Sequence, residues 1–448
     1  MAQASNPTPV ARLFKSVAAV EPVELRPALI SLLCFFFLFF SYAVVKPVRD
    51  AMSTVWGAKH LPSLFLATFL VSLVVAPLYA TLSARVRLSA FLPWIYGIVG
   101  VSMLAFFFLF SGGHYQERWL AAGFFVWVST FNLVILSVFW SFMADLFSRE
   151  QAKRLFGFIA AGGTAGTIAG PAIVDLLAKR VGNDGLMLIS AGSFVLTAIL
   201  AILLAGEKRR LLAESPDAQR TTLDRRLSSN PFEGFMLLFR SRYLLLIALF
   251  LFVMTSVSTV IYVQLTDIIG HSFANRAART QAYATIDLAT NSLTVLIQLF
   301  GTSRLIKRFG VTSGLLLNPF IMALAFVLVI FSPVLMILGG VQVVRRVAEY
   351  AVAKPAREML FTVVDQESKY KAKNVIDTVV YRGGDLLAAS AASAVLAYGI
   401  SGLAVLGVVV SAIWFPIAYA VGRRYESVRG SEIVKETPGR PAAAAGAK

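Results

Sequence analysis

Two segments of the chain place a lysine, an arginine and a carboxylate at the same spacing. Residues 42–50 read YAVVKPVRD, residues 350–358 read YAVAKPARE, and each segment follows a long apolar stretch. A charged side chain at the centre of a membrane helix costs at least about 2.5 kcal/mol, so it is retained where it faces a partner, a cavity or a solute. Lysine and arginine form strong charge-assisted hydrogen bonds with phosphate and carboxylate groups. The repeated segment therefore predicts that an anionic solute binds inside a membrane.

The composition is that of an integral membrane protein. Of 448 residues, 58% are apolar and 15% are charged, and the mean hydropathy is +0.75. Apolar runs long enough to cross the hydrocarbon core recur along the chain. We predict an all-α integral membrane protein with twelve transmembrane helices, at 27–48, 60–82, 88–110, 119–146, 155–177, 185–205, 243–268, 280–302, 311–331, 334–363, 373–397 and 402–421.

The distribution of basic residues predicts the orientation. With the N-terminus inside, 28 of the 41 Lys and Arg fall on the cytoplasmic side, as the positive-inside rule requires. Both termini are then cytoplasmic, and we expect the bacterial inner membrane with its lipid as the surroundings. The net charge of +17 follows from these loops and does not indicate a nucleic-acid partner, because no soluble basic domain accompanies it.

The two halves of the chain repeat each other at an offset of about 220 residues, where Ala152-Lys153-Arg154 precedes Gly162 and Ala372-Lys373-Asn374 precedes Gly383. Two six-helix halves joined by a long cytoplasmic loop form the major-facilitator plan, in which the halves rock around a midplane site. The predicted parts are a cytoplasmic N-tail, an N-terminal half, a basic linker, a C-terminal half and a disordered cytoplasmic C-tail, at 1–26, 27–205, 206–242, 243–421 and 422–448.

Polar residues at helical spacing predict which helices line the cavity. The spans that carry these stripes include the first, fourth, seventh, eighth, tenth and eleventh. Their cations and aromatic residues are candidates for binding the solute: Lys46, Arg49, Arg346, Lys354, Arg357, Arg382, Tyr42, Tyr350 and Tyr381. Their acids are candidates for coupling or gating: Asp145, Asp287, Glu349, Asp377 and Asp385.

Structural ion pairing is the alternative explanation for these charges. Three pairs at positions i and i+4 can form within one helix: Lys46–Asp50, Arg345–Glu349 and Lys354–Glu358. Helix packing alone can account for part of the set. An alternating-access carrier also needs ion pairs that break and re-form, so one residue can serve both purposes.

Other kinds of site find little support. The segment GGTAGTIAG at 162–170 lacks the Lys-Ser/Thr and the preceding strand of a phosphate-binding loop. Its glycines, four residues apart, predict close helix packing instead. With three His and a lone cysteine, Cys34, the chain offers no candidate metal site or disulfide, and no enzyme activity or cofactor is expected.

Several motifs resemble the ATP/ADP translocase (nucleotide transport protein) family. They are YAVVKPVRDAM, FWSFMADLF, QAKRLFGFIAAGGTAGTIAGP and the long segment that begins YAVAKPAREMLF. The resemblance extends over 27–421 and is closest to bacterial relatives of uncertain substrate. It implies that Lys46 and Lys354 serve nucleotide exchange, and more weakly that Asp145 and Asp287 do, because the family tends to use Glu there.

We therefore expect a monomeric secondary carrier of an anionic solute, with ATP:ADP exchange as the leading hypothesis. One alternative is a proton-coupled carrier of another organic anion or a drug-like solute, with Asp287 or Glu349 as the proton carrier. A second alternative, from a different class, is a lipid-handling or scaffold membrane protein without an aqueous substrate.

Overall fold

The computed structural model describes residues 21, 24–85, 88–112, 117–214, 233–364, 372–373 and 375–436. Within these ranges the regular structure is helical. The long helices of the first part of the chain are α1 (Leu25–Trp56), α2 (Leu61–Arg85), α3 (Leu88–Ser111), α4 (Arg118–Leu146) and α5 (Arg149–Glu214). The remaining helices are α6 (Glu233–Arg240), α7 (Arg242–Ser272), α8 (Arg276–Phe300), α9 (Thr302–Phe331), α10 (Leu335–Ala348), α11 (Lys354–Leu360), α12 (Tyr381–Val395) and α13 (Gly399–Glu436).

The short links between these helices include two wide turns of π-helix. Glu349–Ala353 joins α10 to α11, and Ile376–Val380 leads into α12. Turns of 3₁₀-helix occupy Ala58–His60, Phe361–Val363 and Leu396–Tyr398.

Eight helical stretches within the described residues are long and apolar enough to cross a membrane. Two of them, of 57 and 54 residues, are more than twice the necessary length and contain a glycine with positive φ, Gly182 at 68° and Gly399 at 73°. A left-handed residue interrupts a helix at little cost when it is glycine, so each stretch supplies two segments, as the sequence predicted. The predicted eighth and tenth spans, in α8 and α10–α11, carry more polar residues and are not among the eight. The full count of twelve therefore stays a prediction.

The chain divides by its internal contacts into two compact units. The first contains Met1–Arg226 and Val263–Ser292, and the second contains Leu227–Tyr262 and Leu293–Lys448. The end of α7 and most of α8 thus belong to the first unit. The division predicted from the sequence, at the linker 206–242, stays a prediction. Most of that linker and the last part of the C-tail lie outside the described residues, while α13 continues past 421 to Glu436.

The first part of α5 packs directly against α1 through the predicted glycine stripe. A Cβ atom at Gly162 would lie 2.3 Å from the carbonyl oxygen of Leu32, and one at Gly166 would lie 2.4 Å from that of Phe36. At Gly170 it would lie 2.6 Å from the Cβ of Ala43. The glycines therefore let the two backbones approach more closely than any other residue would permit. The prediction of close packing is confirmed.

This contact fixes the helix that carries the first charged segment. Around it lies a core rich in aromatic rings, in which Phe35 stacks on Phe139 at 4.3 Å and meets the edge of Trp140 at 5.1 Å. Phe35, Phe139 and Leu38 are each no more than 4% exposed. A helix held along one face by backbone contact and along another by rings presents its charged residues in a fixed direction.

Candidate functional site

Lys46, in the middle of α1, is held by two carboxylates. Its Nζ donates to Asp50 Oδ2 at 3.0 Å, one turn along the same helix, and to Asp287 of α8 at 2.9 and 2.7 Å. Both acids are 3% exposed, whereas the Lys46 side chain is 21% exposed. The predicted pair Lys46–Asp50 is confirmed, and Asp287 joins it from 241 positions away in the chain.

Arg49 is the second cation of this cluster. Its Nη2 and Nε donate to Asp50 Oδ1 at 2.6 and 3.0 Å, and its Nη1 reaches Ser129 Oγ of α4 at 3.5 Å. The guanidinium also lies over the ring of Phe125, 5.4 Å from its centre. Asp50 therefore serves both cations at once, and the four residues Lys46, Arg49, Asp50 and Asp287 balance two positive charges against two negative charges. We call these four residues the Lys46 cluster.

Hydroxyl groups extend the cluster toward the end of α1. Ser53 Oγ lies 3.3 Å from Thr266 Oγ1 of α7, which in turn lies 3.4 Å from the hydroxyl of Tyr283 in α8. Tyr42, the predicted aromatic contact for a base, packs edge-on against Phe131 at 6.3 Å. The predicted contact of Tyr42 with a base stays a prediction.

Asp145, at the end of α4, pairs with a residue that the sequence placed outside the membrane spans. The ammonium of Lys208, near the end of α5, donates to Asp145 Oδ2. Two further ion pairs connect α5 with the start of α1: Arg154 with Glu24, the residue before α1, at 2.8 Å, and Arg26 with Glu207 at 3.0 Å. Three pairs between helix termini within one unit indicate that Asp145 holds helix ends together.

Arg345 is the centre of a second cluster, in the second unit. Its Nη1 donates to Glu349 Oε2 and to Ser258 Oγ of α7, both at 2.6 Å, and its Nε donates to Gln342 Oε1 at 2.9 Å. Arg345 is 6% exposed. The predicted pair Arg345–Glu349 is confirmed, and we call these four residues the Arg345 cluster.

The sequence singled out the neighbouring Arg346 and assigned Arg345 only to local pairing. The structure places Arg346 over the ring of Tyr350, 5.6 Å from its centre, and leaves it 7% exposed. The signal that favours Arg345 was present, since a carboxylate four residues later lies on the same helix face. What the sequence lacked was Ser258, which lies 87 positions away.

The eleventh span contributes Asp385, which is 7% exposed. Its Oδ1 accepts a hydrogen bond from Thr259 Oγ1 of α7 at 2.7 Å, and its Oδ2 lies 3.7 Å from Arg382 Nη1. Arg382 also lies 6.0 Å from the ring centre of Tyr381. Three predicted residues of α12 thus lie close together, and Asp385 connects them to Thr259 of α7.

The predicted pair Lys354–Glu358 is wrong. Glu358 is engaged by Lys373, which precedes α12, and by Arg357 at 3.3 Å. The partners of Glu358 are thus Lys373 and Arg357, and Lys354 is not one of them. Lys354 and Asp377 are both exposed, and neither belongs to the Arg345 cluster.

The two π-turns fall within the charged part of the second unit. Glu349, which closes the Arg345 cluster, is the first residue of one π-turn, and Asp377 lies in the other. Turns of this kind add a residue to a helix and occur often at functional sites. The extra residue also changes which side chains share a face after Glu349, so the helical stripe predicted through Arg357 is interrupted.

Both clusters contain a cation that can exchange its carboxylate partner in the protein for an anion of the solute. Each has a cation within hydrogen-bonding distance of a carboxylate. The cation is buried in the Arg345 cluster and half-buried in the Lys46 cluster, where the two carboxylates are buried. Taking such charges out of water costs several kcal/mol per ion, and the cost is recovered only through close partners. A phosphate or carboxylate group of a solute can replace the carboxylate of the protein without leaving the cation unpaired.

Comparison with known proteins gives the class to which this architecture belongs. Residues 28–345 match the Major Facilitator Superfamily, and the chain belongs to that superfamily. With its long apolar helices and its superfamily match, it is a multi-pass membrane transporter.

The chain is similar to ADP,ATP carrier proteins of Chlamydia. It is 24% identical to ADP,ATP carrier protein 1 of Chlamydia pneumoniae over 446 residues, which covers 84% of this chain and 85% of the relative. It is 26% identical to ADP,ATP carrier protein 1 of Chlamydia muridarum over 442 residues, which covers 84% and 83%. The resemblance drawn from the motifs is confirmed.

Solved structures support the fold. A bacterial homologue of the iron transporter ferroportin matches with a TM-score of 0.63 at 12% identity, covering 89% of this chain and 99% of that one. The nucleoside transporter NupG matches with a TM-score of 0.55 at 15% identity, covering 91% and 99%. At such identities the likeness concerns the fold alone.

Proposed function

We propose that this protein exchanges nucleotides, of the ATP and ADP type, across the bacterial cytoplasmic membrane as a monomer with both termini inside. The observation that carries the proposal is the position of Lys46 between Asp50 and Asp287, at 3.0 and 2.7 Å. The similarity to ADP,ATP carrier proteins supports a nucleotide as the anion.

The Lys46 cluster suggests why transport takes the form of exchange. The ion pair Lys46–Asp287 joins α1 to α8 when no solute is bound. A phosphate group that binds Lys46 competes with Asp287 and frees α8 to move. If the helices move only after this replacement, each crossing requires a bound anion, and solute must travel in both directions.

The remaining candidate residues have graded parts in this proposal. Lys46, Arg49, Arg345 and Arg346 are buried or nearly so and would bind phosphate oxygens. Lys354, Arg357 and Arg382 would attract or guide the solute, and Tyr350 or Tyr381 would contact its base. Asp287, Glu349 and Asp385 would be released in turn as phosphate takes their cations, while Asp377 and Asp145 would adjust the charge at helix ends.

A proton carrier at Asp287 or Glu349 has less support. Asp287 lies 2.7 Å from the Lys46 ammonium, and Glu349 lies 2.6 Å from the Arg345 guanidinium. A proton would have to displace an ion pair before it could load on either carboxylate.

Counterflow in proteoliposomes tests the proposed solute. Purified protein is reconstituted with an unlabelled nucleotide inside, and labelled ATP, ADP, AMP, phosphorylated sugars and dicarboxylates are offered outside. We expect accumulation of ATP and ADP in preference to the other solutes. Accumulation of a different anion with no nucleotide uptake would refute the nucleotide assignment, and failure of every anion would favour a protein without an aqueous substrate.

A further inference from the structure

A cavity of about 650 Å³ with several charged and polar lining residues lies in the first unit, and no member of the Lys46 cluster lines it. It is bounded by the end of α1, the break in α5 and the start of α8. The lining includes Thr54, Gly182, Asn183, Asp184, Arg276 and Arg279. Its volume falls within the range of about 300–1,000 Å³ that is typical of small-molecule sites.

Backbone conformation and a half-buried arginine, Arg279, shape this cavity. Gly182 interrupts α5 with φ of 68° and turns the chain so that the next two residues line the space. Arg279 donates to Thr54 Oγ1 and to the carbonyl of Gly270, both at 2.9 Å, and to the carbonyl of Phe273 at 2.7 Å. Because its three nitrogens each donate to the protein, Arg279 holds the end of α1 and the segment before α8 together at the cavity wall.

Two polar atoms of the lining have no hydrogen-bond partner in the described part of the chain. Asn183 is 5% exposed, and its Oδ1 accepts from Thr280 Oγ1 at 2.9 Å, but its Nδ2 donor is unsatisfied. Asp184 Oδ1 is likewise buried and unsatisfied. A buried polar atom without a hydrogen-bond partner is unfavourable, so both atoms favour a ligand that supplies an acceptor and a donor.

The charges of the lining favour an anion. Arg276 and Arg279 are positive and Asp184 is negative, which leaves one positive charge in excess. Burial raises the pKa of Asp184 above its usual range, although a hydrogen bond from its own backbone amide and the nearby Arg276 oppose the shift. Burial also lowers the pKa of Arg276, and the charge of Asp184 opposes this. Asp184 and Arg276 therefore stabilise each other's charged forms.

We propose that this cavity is a second solute site, which takes a phosphorylated solute with free hydroxyl groups before it reaches the Lys46 cluster. A phosphate oxygen accepts from Asn183 Nδ2 and from the guanidinium of Arg276. A hydroxyl of the solute donates to Asp184 Oδ1. The choice of a nucleoside phosphate as probe rests on the proposed function, whereas the site itself rests on the unsatisfied atoms and the excess positive charge.

Cysteine protection tests the proposal in purified protein, without transport. Ala274 lines the cavity and is exposed, so Ala274→Cys should react with a polar maleimide. The native Cys34 is fully buried and should not react. We expect ADP to slow labelling of Ala274→Cys, adenosine to have no effect, and inorganic phosphate to act only at concentrations about tenfold higher. Ser272→Cys, exposed but outside the lining, should react at the same rate with and without ADP.

A second pair of variants separates a specific site from general electrostatic attraction. In the Ala274→Cys background, Arg276→Gln should raise the half-protecting ADP concentration about tenfold, as expected for loss of a charge-assisted hydrogen bond. Arg180→Gln removes an exposed cation beside the break in α5 that does not line the cavity. This change should alter the half-protecting ADP concentration less than twofold. Asp184→Asn should weaken protection by ADP more than protection by phosphate.

The outcomes distinguish this inference from the proposed function. Absence of ADP protection, or equal protection in Arg276→Gln, would overturn the second site even if the protein exchanges nucleotides. Protection lost in Arg276→Gln but kept in Arg180→Gln would support the second site even if nucleotide exchange fails.

Discussion

The ammonium of Lys46 lies 2.7 Å from Asp287 Oδ2 and joins α1 to α8 across 241 positions of sequence. Removing either partner leaves a charge in a buried setting. Asp50 is less dependent on Lys46, because Arg49 also binds it at 2.6 Å. Asp287 is therefore the carboxylate whose environment changes most when Lys46 is lost.

Lys46→Ala should nearly abolish nucleotide exchange, with a larger loss for ATP than for AMP, because the lost cation would bind a multiply charged phosphate chain. Lys46→Arg should restore part of the activity, since the two cations differ in shape and hydration. Initial rates of labelled ATP and AMP uptake in proteoliposomes measure the effect. Lys59→Ala removes an exposed lysine beyond the end of α1 and serves as the control, with activity close to that of the unchanged protein.

The double variant Lys46→Ala/Asp287→Ala separates binding from packing. It removes the ion pair without leaving Asp287 unpaired, so the protein should express and melt more like the unchanged chain than Lys46→Ala does. Exchange should remain lost. If the double variant transports ATP normally, Lys46 has a structural role only.

Arg345→Gln should lower the free energy of unfolding by about 3–5 kcal/mol, the usual cost of leaving a buried charge without its partner. The carboxylate that loses its partner is Glu349, at 2.6 Å. Thermal denaturation in detergent measures the change. Arg345→Gln/Glu349→Gln should recover part of the stability, and Arg308→Gln, at an exposed position, should have almost no effect. Equal melting of Arg345→Gln and Arg308→Gln would show that the cluster does not support the fold.

Gly166→Ala should destabilise the protein, because its new Cβ would lie 2.4 Å from the Phe36 carbonyl oxygen and 2.9 Å from the Phe40 nitrogen. Backbone atoms cannot move aside without separating α1 from α5. Gly157→Ala is the matched control in the same helix, since no other described part of the chain lies within 4 Å of its Cβ position. That change should be neutral or stabilising, because alanine favours helix over glycine by about 1 kcal/mol. A melting temperature for Gly166→Ala at or above that of Gly157→Ala would contradict the close contact.

Cysteines at Ser215 and Ser229 should resist an impermeant maleimide in intact cells, because the basic linker that contains them is predicted to be cytoplasmic. Both positions lie outside the described residues. Ala274→Cys, on the opposite side in this orientation, should react under the same conditions, and permeabilised cells should label all three. Labelling of Ser215→Cys and Ser229→Cys from outside would reverse the proposed orientation.

Local regularities of the sequence predicted much of this molecule. The spacing of Lys46–Asp50 and of Arg345–Glu349 places each pair on one helix face, and both pairs form. The glycines of α5 also recur every four residues and so lie on one helix face, which predicted the close contact with α1. Apolar runs located the eight stretches of the described residues that are long and apolar enough to cross a membrane, because length and hydropathy are properties of the local sequence.

Contacts between distant segments could not be predicted from the sequence. Nothing near Lys46 indicates Asp287, and nothing near Glu358 indicates that Lys373 would replace Lys354 as its partner. Asn183 lies in a polar segment of the sequence. That its side chain is buried with an unsatisfied Nδ2 depends on the packing of α8 beside it, which the sequence does not indicate. Such contacts depend on tertiary packing, which a single sequence does not encode in its local pattern.

Asp287→Asn should loosen the link between α1 and α8 while retaining the size of the side chain. The carrier would then change state without bound solute more often, so labelled ATP should enter vesicles that contain no nucleotide. Asp267→Asn alters a carboxylate of α7 that lies 3.7 Å from the exposed His271 and should leave the requirement for internal nucleotide unchanged. Uptake by Asp287→Asn that still requires internal ADP would remove this ion pair from the coupling.

The central claim, obligatory exchange of nucleotides, is tested most directly by the dependence of uptake on the contents of the vesicle. Labelled ATP is offered to proteoliposomes that are empty or filled with ADP, with and without a proton gradient. The account predicts rapid uptake into ADP-filled vesicles, little uptake into empty ones, and no effect of the gradient. Uptake into empty vesicles that is driven by the proton gradient, with no stimulation by internal ADP, would contradict it.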